Sequence, residues 1–463
     1  MRVNKWKMTL ILTICSLLLL LTACGGGESG GNSAAPKAAE GVTELSGVVK
    51  FAINGQPVDD GIDPVTGRDV KGMKTVLKPF LEKHPKLTIE YIEIPNDNRY
   101  AKWQALFLSG SVDVLNNLGS VIEYYNQGFV LSLDDYLKRD NWKQNYYDSL
   151  WQDRERFTNA ADGKVMTLPG SVNTNTVVYD KQIFEDWGVA PLSDKPTAQE
   201  ILEKAAKMTG INPKTGKQTY GMYYDPRGSS HMMLDYFSDG NGVNIGETDW
   251  ANFGNSKLNF NTPQIKKSLQ TMIDMNSSLP PGYEIGRGFE NWGKADNNVA
   301  ICLWCSNMDE VLKNKLQDRY VVTKGVRDKN GKTSFGTAGA YAIAKESKNP
   351  EAAWQLLKYL AGPEGQKAFY VNQKALPSWK KADWVDEKEN PYAKQLLAVV
   401  EDTKNVIFPP IMFSLVRPWM AELISRANHG QKYDLEAEVA DIQGKLTKWV
   451  EEQKVINAQK DKK

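Results

Sequence analysis

GVVKFAIN, residues Gly47–Asn54, decides the fold. It is an apolar run rich in β-branched and aromatic residues, broken by Lys50 and ended by the turn pair Asn54-Gly55. Such a run reads as a buried strand. After a polar loop, Lys71–His84 places Met73, Val76, Leu77, Phe80 and Leu81 at helical spacing, and Pro85 closes it. Leu87–Ile94 then alternates, with Leu87, Ile89 and Tyr91 set against Thr88 and Glu90, which predicts a second strand. Strand, helix and strand in that order feed a largely parallel sheet, so the fold class is α/β.

The same rhythm continues in both directions. Downstream, Arg99–Leu108 reads as a helix, Val112–Leu115 as a strand and Val121–Gln127 as a helix. Strands follow at Val177–Asp180, Tyr220–Tyr224, Val299–Trp304 and Ala338–Ala344, with helices at Pro196–Thr209, Ile265–Asn276, Glu351–Leu360 and Glu364–Asn372. Trp419–Ala427 and Leu435–Lys454 are amphipathic helices near the C-terminus. Upstream, Arg2, Lys5 and Lys7 precede the apolar run Met8–Leu21, which ends in Leu21-Thr22-Ala23-Cys24. A basic region, an apolar region and small residues before a cysteine resemble a secretory signal with a bacterial lipobox. Residues 1–23 are therefore expected to be removed and Cys24 to carry lipid. Residues 24–45 lack large apolar side chains for most of their length and are expected to form a flexible tether.

The chain has 463 residues, 57 Lys and Arg against 56 Asp and Glu, a near balance that leaves no electrostatic footprint for nucleic acid. Beyond the signal, no apolar run approaches the ~20 residues of a spanning helix. Cys302 and Cys305, as Cys-Leu-Trp-Cys, end an apolar strand instead of opening a helix. They read as a buried reduced pair or a local disulfide in preference to redox or metal chemistry. Asp59, Asp60, Asp63 and Asp69 lack the spacing of an EF-hand loop and read as solvated turn chemistry. No metal and no cofactor are expected. Only three histidines occur, and there is no H-E-x-x-H, no G-x-S-x-G elbow and no P-loop. A secreted glycoside hydrolase remains the enzyme alternative, because a pair of carboxylates needs no sequence motif.

Several stretches share an order that resembles a known family. Ser109-Gly110-Ser111-Val112-Asp113-Val114 is similar to "Gly-x-x-Pro-Asp-Val", with Val112 where proline is usual. Gly128–Leu137 is similar to "Gly-x-Leu-x-x-Leu-Asp-Asp-Tyr-Leu". Gly163–Pro169 with Tyr179, Ile183-Phe184 and Trp187-Gly188 follows, although Asp180 stands where asparagine is usual. Phe289–Lys294 with Val299–Trp304 is a looser copy, and Ala342–Trp354 (AIAKESKNPEAAW) is the sharpest. Together they resemble the extracellular solute-binding proteins of bacterial ABC importers, in the carbohydrate-binding branch that includes maltose-binding protein.

The resemblance implies a two-lobed periplasmic-binding-protein-like fold of type II, with hinged lobes around a central ligand cleft. Residues 46–168 plus 325–365 would form lobe 1, and 169–324 plus 366–463 lobe 2. The implied partners are a carbohydrate ligand, the transmembrane subunits of an ABC permease, and a membrane reached through the N-terminal lipid. The protein would act as a monomer outside the cytoplasm, on the outer face of the cell membrane or in the periplasm.

Sugar recognition needs a flat aromatic face for the pyranose C–H surface and fixed polar groups for its hydroxyls. The loops after strands supply candidates: Asn54 and Gln56 after the first, and Asn116, Asn117 and Ser120 after the third. Asn173 and Asn175 lie on the expected lobe crossing, and Tyr224, Asp225 and Arg227 follow the strand Tyr220–Tyr224. By the resemblance, Trp304 is the stacking ring, Gly339 and Tyr341 line the cleft, and Arg417 and Trp419 lie near a second aromatic platform.

Overall fold

The computed structural model describes residues 44–62, 69–95, 99–117, 121–174, 176–225, 233–234, 237, 245–305, 308–326, 333–337, 339–373, 375–401, 403–404 and 408–460. The signal segment, Cys24, Asp63, Ser120, Asn175 and Arg227 lie outside the described residues. Glu44 and Leu45, assigned above to the tether, belong instead to the folded body. Leu45 is buried in the core and Glu44 pairs with Lys86 at 2.7 Å.

The stretch Gly47–Asn54 forms the strand Ser46–Ile53, and it pairs in parallel with Lys86–Glu93 on one side and Val114–Asn116 on the other. The helix Met73–Lys83 returns the chain between the first two, burying Met73, Val76, Leu77 and Phe80. Two further strands complete this first sheet. Ala340–Ile343 runs antiparallel to Val114–Asn116, and Leu168–Pro169 runs antiparallel to Ala340–Ile343. The expected parallel sheet is thus parallel on one side only, because its last two strands arrive from distant parts of the chain. The helix Pro350–Ala361 begins with proline at its first turn and packs Trp354, Leu356, Leu357 and Leu360 into the core. Each fully buried apolar side chain of that size contributes roughly 1.5–3 kcal/mol.

A second sheet runs in the order Tyr320–Val322, Val177–Asp180, Val299–Leu303, Gln218–Tyr223, Gly210–Ile211. Only Gln218–Tyr223 and Val299–Leu303 are parallel to each other. A third sheet, Leu376–Pro377, Ser171–Thr174, Thr333–Thr337 and Thr403–Lys404, contains both segments that run between the first two, Ser171–Thr174 and Thr333–Thr337, with two later strands added. Thr197 and Thr262 start the helices Ala198–Lys207 and Pro263–Asp274 by accepting the backbone N–H three residues on. Among the described residues no helix is long and apolar enough to cross a membrane.

The motifs read from the sequence converge at the end of the first sheet where Val114–Asn116 begins. Asp113 accepts the backbone N–H of Lys50 at 2.8 Å and of Lys348 at 3.2 Å, and the Ser347 hydroxyl at 2.6 Å. Leu131 donates its N–H to the Ile343 carbonyl at 2.9 Å. The Asp134 carboxylate accepts the Val165 N–H at 3.0 Å. These residues therefore tie the Asp-Val, Leu-Asp-Asp and Lys-Asn-Pro segments into one scaffold. Asp180 has a similar role on the second sheet. It caps the helix Lys181–Trp187 through the Gln182 N–H and receives Arg319 at 2.6 Å and Asn297 at 2.7 Å. The carboxylate in place of asparagine is explained by that guanidinium. Asp60 accepts Lys71 and the Gly72 N–H at 2.8 Å each, and Asp59 accepts Lys74 at 2.7 Å, which is turn and helix-start chemistry.

Candidate functional site

Ligands of open α/β sheets approach the carboxyl ends of the parallel strands, and the strand register shows which residues stand there. On the first sheet Ala52 pairs with Leu115, so Asn54 comes level with Asn117. Asn117 donates its N–H to the Ala340 carbonyl at 3.0 Å, and Gly170 donates to the Gly339 carbonyl at 2.9 Å. The edge therefore reads Asn54, Asn117, Gly339, Gly170. On the second sheet Tyr223 pairs with Cys302 and Leu303 with Val177, which brings Asp225, Trp304 and Thr176 into line. The chain crosses from one edge to the other between Gly170 and Thr176, through the strand Ser171–Thr174. At about 3.3 Å per residue, that crossing spans at most about 20 Å.

Amide chemistry builds the first edge. Asn54 donates its backbone N–H to the Asn116 side-chain oxygen at 2.8 Å and its own amide to the Ile94 carbonyl at 2.7 Å. Both side chains are buried, so their hydrogen bonds fix the strand ends against one another. Asn117 is exposed and left-handed, with φ 57°, a conformation asparagine tolerates better than most residues. Its side-chain amide donates to the Asn54 carbonyl at 3.4 Å. Gln56 is half-buried and accepts from Gln373 at 3.0 Å. Gly339 has φ 81°, and Gly170 must lack a Cβ because one would fall 2.8 Å from the Tyr341 ring.

Trp304 stands on the second edge. Trp304 is half-buried, packed against the core, and holds φ 63°, a backbone state costly for a bulky residue. Cys302 and Cys305, left open between a reduced pair and a disulfide, are disulfide-bonded around it. Asp225, two residues past Tyr223, is half-buried. Asn173 pairs through its backbone with Gly336 in the crossing sheet.

Four expected contact residues are buried. Tyr224 is fully buried and meets Tyr283 ring to ring at 5.8 Å. Tyr341 lies under Gly170 with 4% exposure. Burial raises both phenol pKa values, which keeps them neutral. The Asn54 amide donates to the Ile94 carbonyl and the Asn116 side-chain oxygen accepts the Asn54 backbone N–H. Trp419 is also drawn into packing. Its indole donates to Glu438 at 3.1 Å and its ring meets Phe260 at 6.0 Å, on the seam between the helices Arg417–Asn428 and Leu435–Lys460. The Arg417 guanidinium lies 5.9 Å from the centre of the Phe413 ring.

Gly170 and Thr176 belong to the two edges and were not anticipated. Pro169-Gly170 carried a turn signal, whereas a threonine before a Val-Val strand carries none. Among the described residues no group of three or more His, Cys, Asp or Glu side chains is placed to hold a metal ion.

A family model described as bacterial extracellular solute-binding protein matches residues 66–367. A binding protein of Brucella abortus strain 2308 is 23% identical over 314 residues, covering 65% of this chain and 71% of that one. Among solved structures, the sugar-binding protein MalE of Xanthomonas citri superposes with a TM-score of 0.67 at 17% identity, over 89% of this chain and 100% of its own. Maltose-bound MalE3 of T. maritima gives 0.65 at 17% identity, over 86% and 98%. Both are folds of the two-lobed kind expected above.

Proposed function

The chain belongs to the bacterial extracellular solute-binding proteins, and from that membership we propose that it captures a sugar or oligosaccharide outside the cytoplasm and delivers it to an ABC-type permease. The observation that carries the reading is the pairing of unlike edges at the two ends of one short crossing strand. The exposed Asn117 supplies a fixed polar side chain on one, and Trp304 supplies an aromatic face on the other. That is the combination a pyranose needs. Lobes 46–168 plus 325–365 and 169–324 plus 366–463 close around the sugar, and the closed form is favoured by contacts only it makes with the ligand. Lipid on Cys24 keeps the receptor near its permease, and the segment after it gives reach. The ligand leaves unaltered, since binding and release require no bond to break. The solved maltose complex named above makes maltose the first probe.

Calorimetric titration against a panel of mono- and oligosaccharides beginning with maltose tests this. A ligand bound at micromolar affinity or better and recovered intact is expected. Trp304→Ala should weaken its binding by about 1–3 kcal/mol, as removal of a stacking anchor does. Turnover of the sugar by purified protein supports the hydrolase alternative instead, and unchanged affinity removes Trp304 from the site.

A further inference from the structure

We propose that the Cys302–Cys305 disulfide and Thr176 are positioning residues that hold the Trp304 indole at the second edge. The proposal rests on the reading of Trp304 as a sugar-stacking ring. A tryptophan at φ 63° has no intrinsic preference for that backbone state, so its surroundings must impose it. Three links do so. The disulfide closes Cys302-Leu303-Trp304-Cys305 on itself, with Cα atoms 5.8 Å apart, inside the range such a bond spans. The Cys305 N–H donates to the Thr176 carbonyl at 3.2 Å. The Thr176 hydroxyl donates back to the Cys305 carbonyl at 2.5 Å.

Each link begins on a rigid element. Cys302 is buried in the strand Val299–Leu303, between Tyr223 on one side and Val178 on the other. Thr176 is fully buried and directly precedes the strand Val177–Asp180, at the end of the crossing segment. Trp304 is therefore enclosed by a covalent ring on its own chain and clamped to the segment that carries Asn173. The residues on both sides of it, Leu303 in its strand and Cys305 on Thr176, are thereby tied to the second sheet, which anchors the left-handed turn at Trp304. The ring is thus pre-set before ligand arrives, which lowers the ordering cost of binding. A disulfide in this role also suits a compartment outside the cytoplasm, where such bonds persist.

The test needs no ligand in its first part. Alkylation of the purified protein without reduction, read by peptide mass, should leave Cys302 and Cys305 unlabelled. With indole-labelled tryptophan, the Trp304 and Trp354 resonances are assigned by their loss in Trp304→Phe and Trp354→Phe. In the double variant Cys302→Ala/Cys305→Ala the Trp304 resonance should move or broaden while that of Trp354, buried on the helix Pro350–Ala361, stays. Thr176→Val should shift it less. In the second part, maltose affinity in the double variant should fall at least fivefold. Labelling of both thiols in the wild-type protein overturns the proposal, as does an unmoved Trp304 resonance in both variants. Failure of wild-type protein to bind any sugar of the panel counts against the sugar reading at this site, while the indole result still decides the positioning role.

Discussion

At the end away from the ligand edge, the first sheet is closed by Asp113 and the second by Asp180. Asp113 accepts two backbone N–H groups and a serine hydroxyl, all uncharged. Asp180 is fully buried and takes the Arg319 guanidinium through both oxygens, with the Asn297 amide beside it. The two carboxylates have equivalent positions but different liabilities. Removing charge from Asp113 leaves neutral donors weakly paired. Removing it from Asp180 leaves a half-buried cation without its counterion, which is far more costly than the pair itself is stabilising. Asp180→Asn should therefore lose about 3–5 kcal/mol of unfolding free energy, and Asp113→Asn about 1.5–3 kcal/mol. Denaturant titrations of both variants check this, and equal losses would erase the distinction between the sheets.

The ligand edges repeat the contrast with different materials. The first is held by amides, Asn54 to Asn116 and Asn117 to Ala340, while the second is held by a disulfide and a threonine. Asn116→Ala leaves the buried Asn54 N–H without its acceptor, a loss of about 1–3 kcal/mol. Because that bond also sets the turn bearing Asn117, sugar affinity should fall although Asn116 itself is buried. Calorimetry on Asn116→Ala and Asn117→Ala separates the support from the contact. If only Asn117→Ala weakens binding, the first edge does not depend on its amide brace.

Local pattern made much of this legible. The alternation of Leu87–Ile94, the spacing of Met73, Val76, Leu77 and Phe80, and the turn at Asn54-Gly55 all report interactions within a few residues. The asparagines after strands were visible as strand-end residues, but which of them would be buried depends on neighbours as distant in sequence as Asn54 is from Asn116. Nothing local to Tyr224 or Tyr341 distinguishes a cleft ring from a core ring. Arg319 and Asp180 are 139 residues apart, and Thr176 and Cys305 are 129 apart, so both clamps are set by sheet order alone. The family motifs were legible for another reason. They turned out to be scaffold, and a scaffold shared by many binding proteins says little about what a given cleft holds.

Glu155 offers a smaller and separate way to sharpen the contrast between uncharged and ion-paired burial. It packs on the first-sheet side, where its carbonyl accepts the Ile122 N–H at 3.2 Å, and it is 4% exposed. Burial pushes its carboxyl up from 4.5 to about 8, with Asp153 adding to the rise and Arg156 opposing it. The folded state therefore holds a proton that the unfolded chain releases between pH 4.5 and 8. Stability from this group is full below pH 4.5 and falls as pH rises through that window, the reverse of a salt-bridged carboxylate. Glu155→Gln keeps the shape and cannot ionise. Its stability relative to the wild-type chain should improve by about 1 kcal/mol or more between about pH 5 and about pH 8.5, since each tenfold change in proton affinity is worth about 1.4 kcal/mol. Paired thermal melts at the two pH values measure it. A constant difference would mean that Glu155 is solvated or paired when folded, and the first-sheet side would then bury charge as readily as the second.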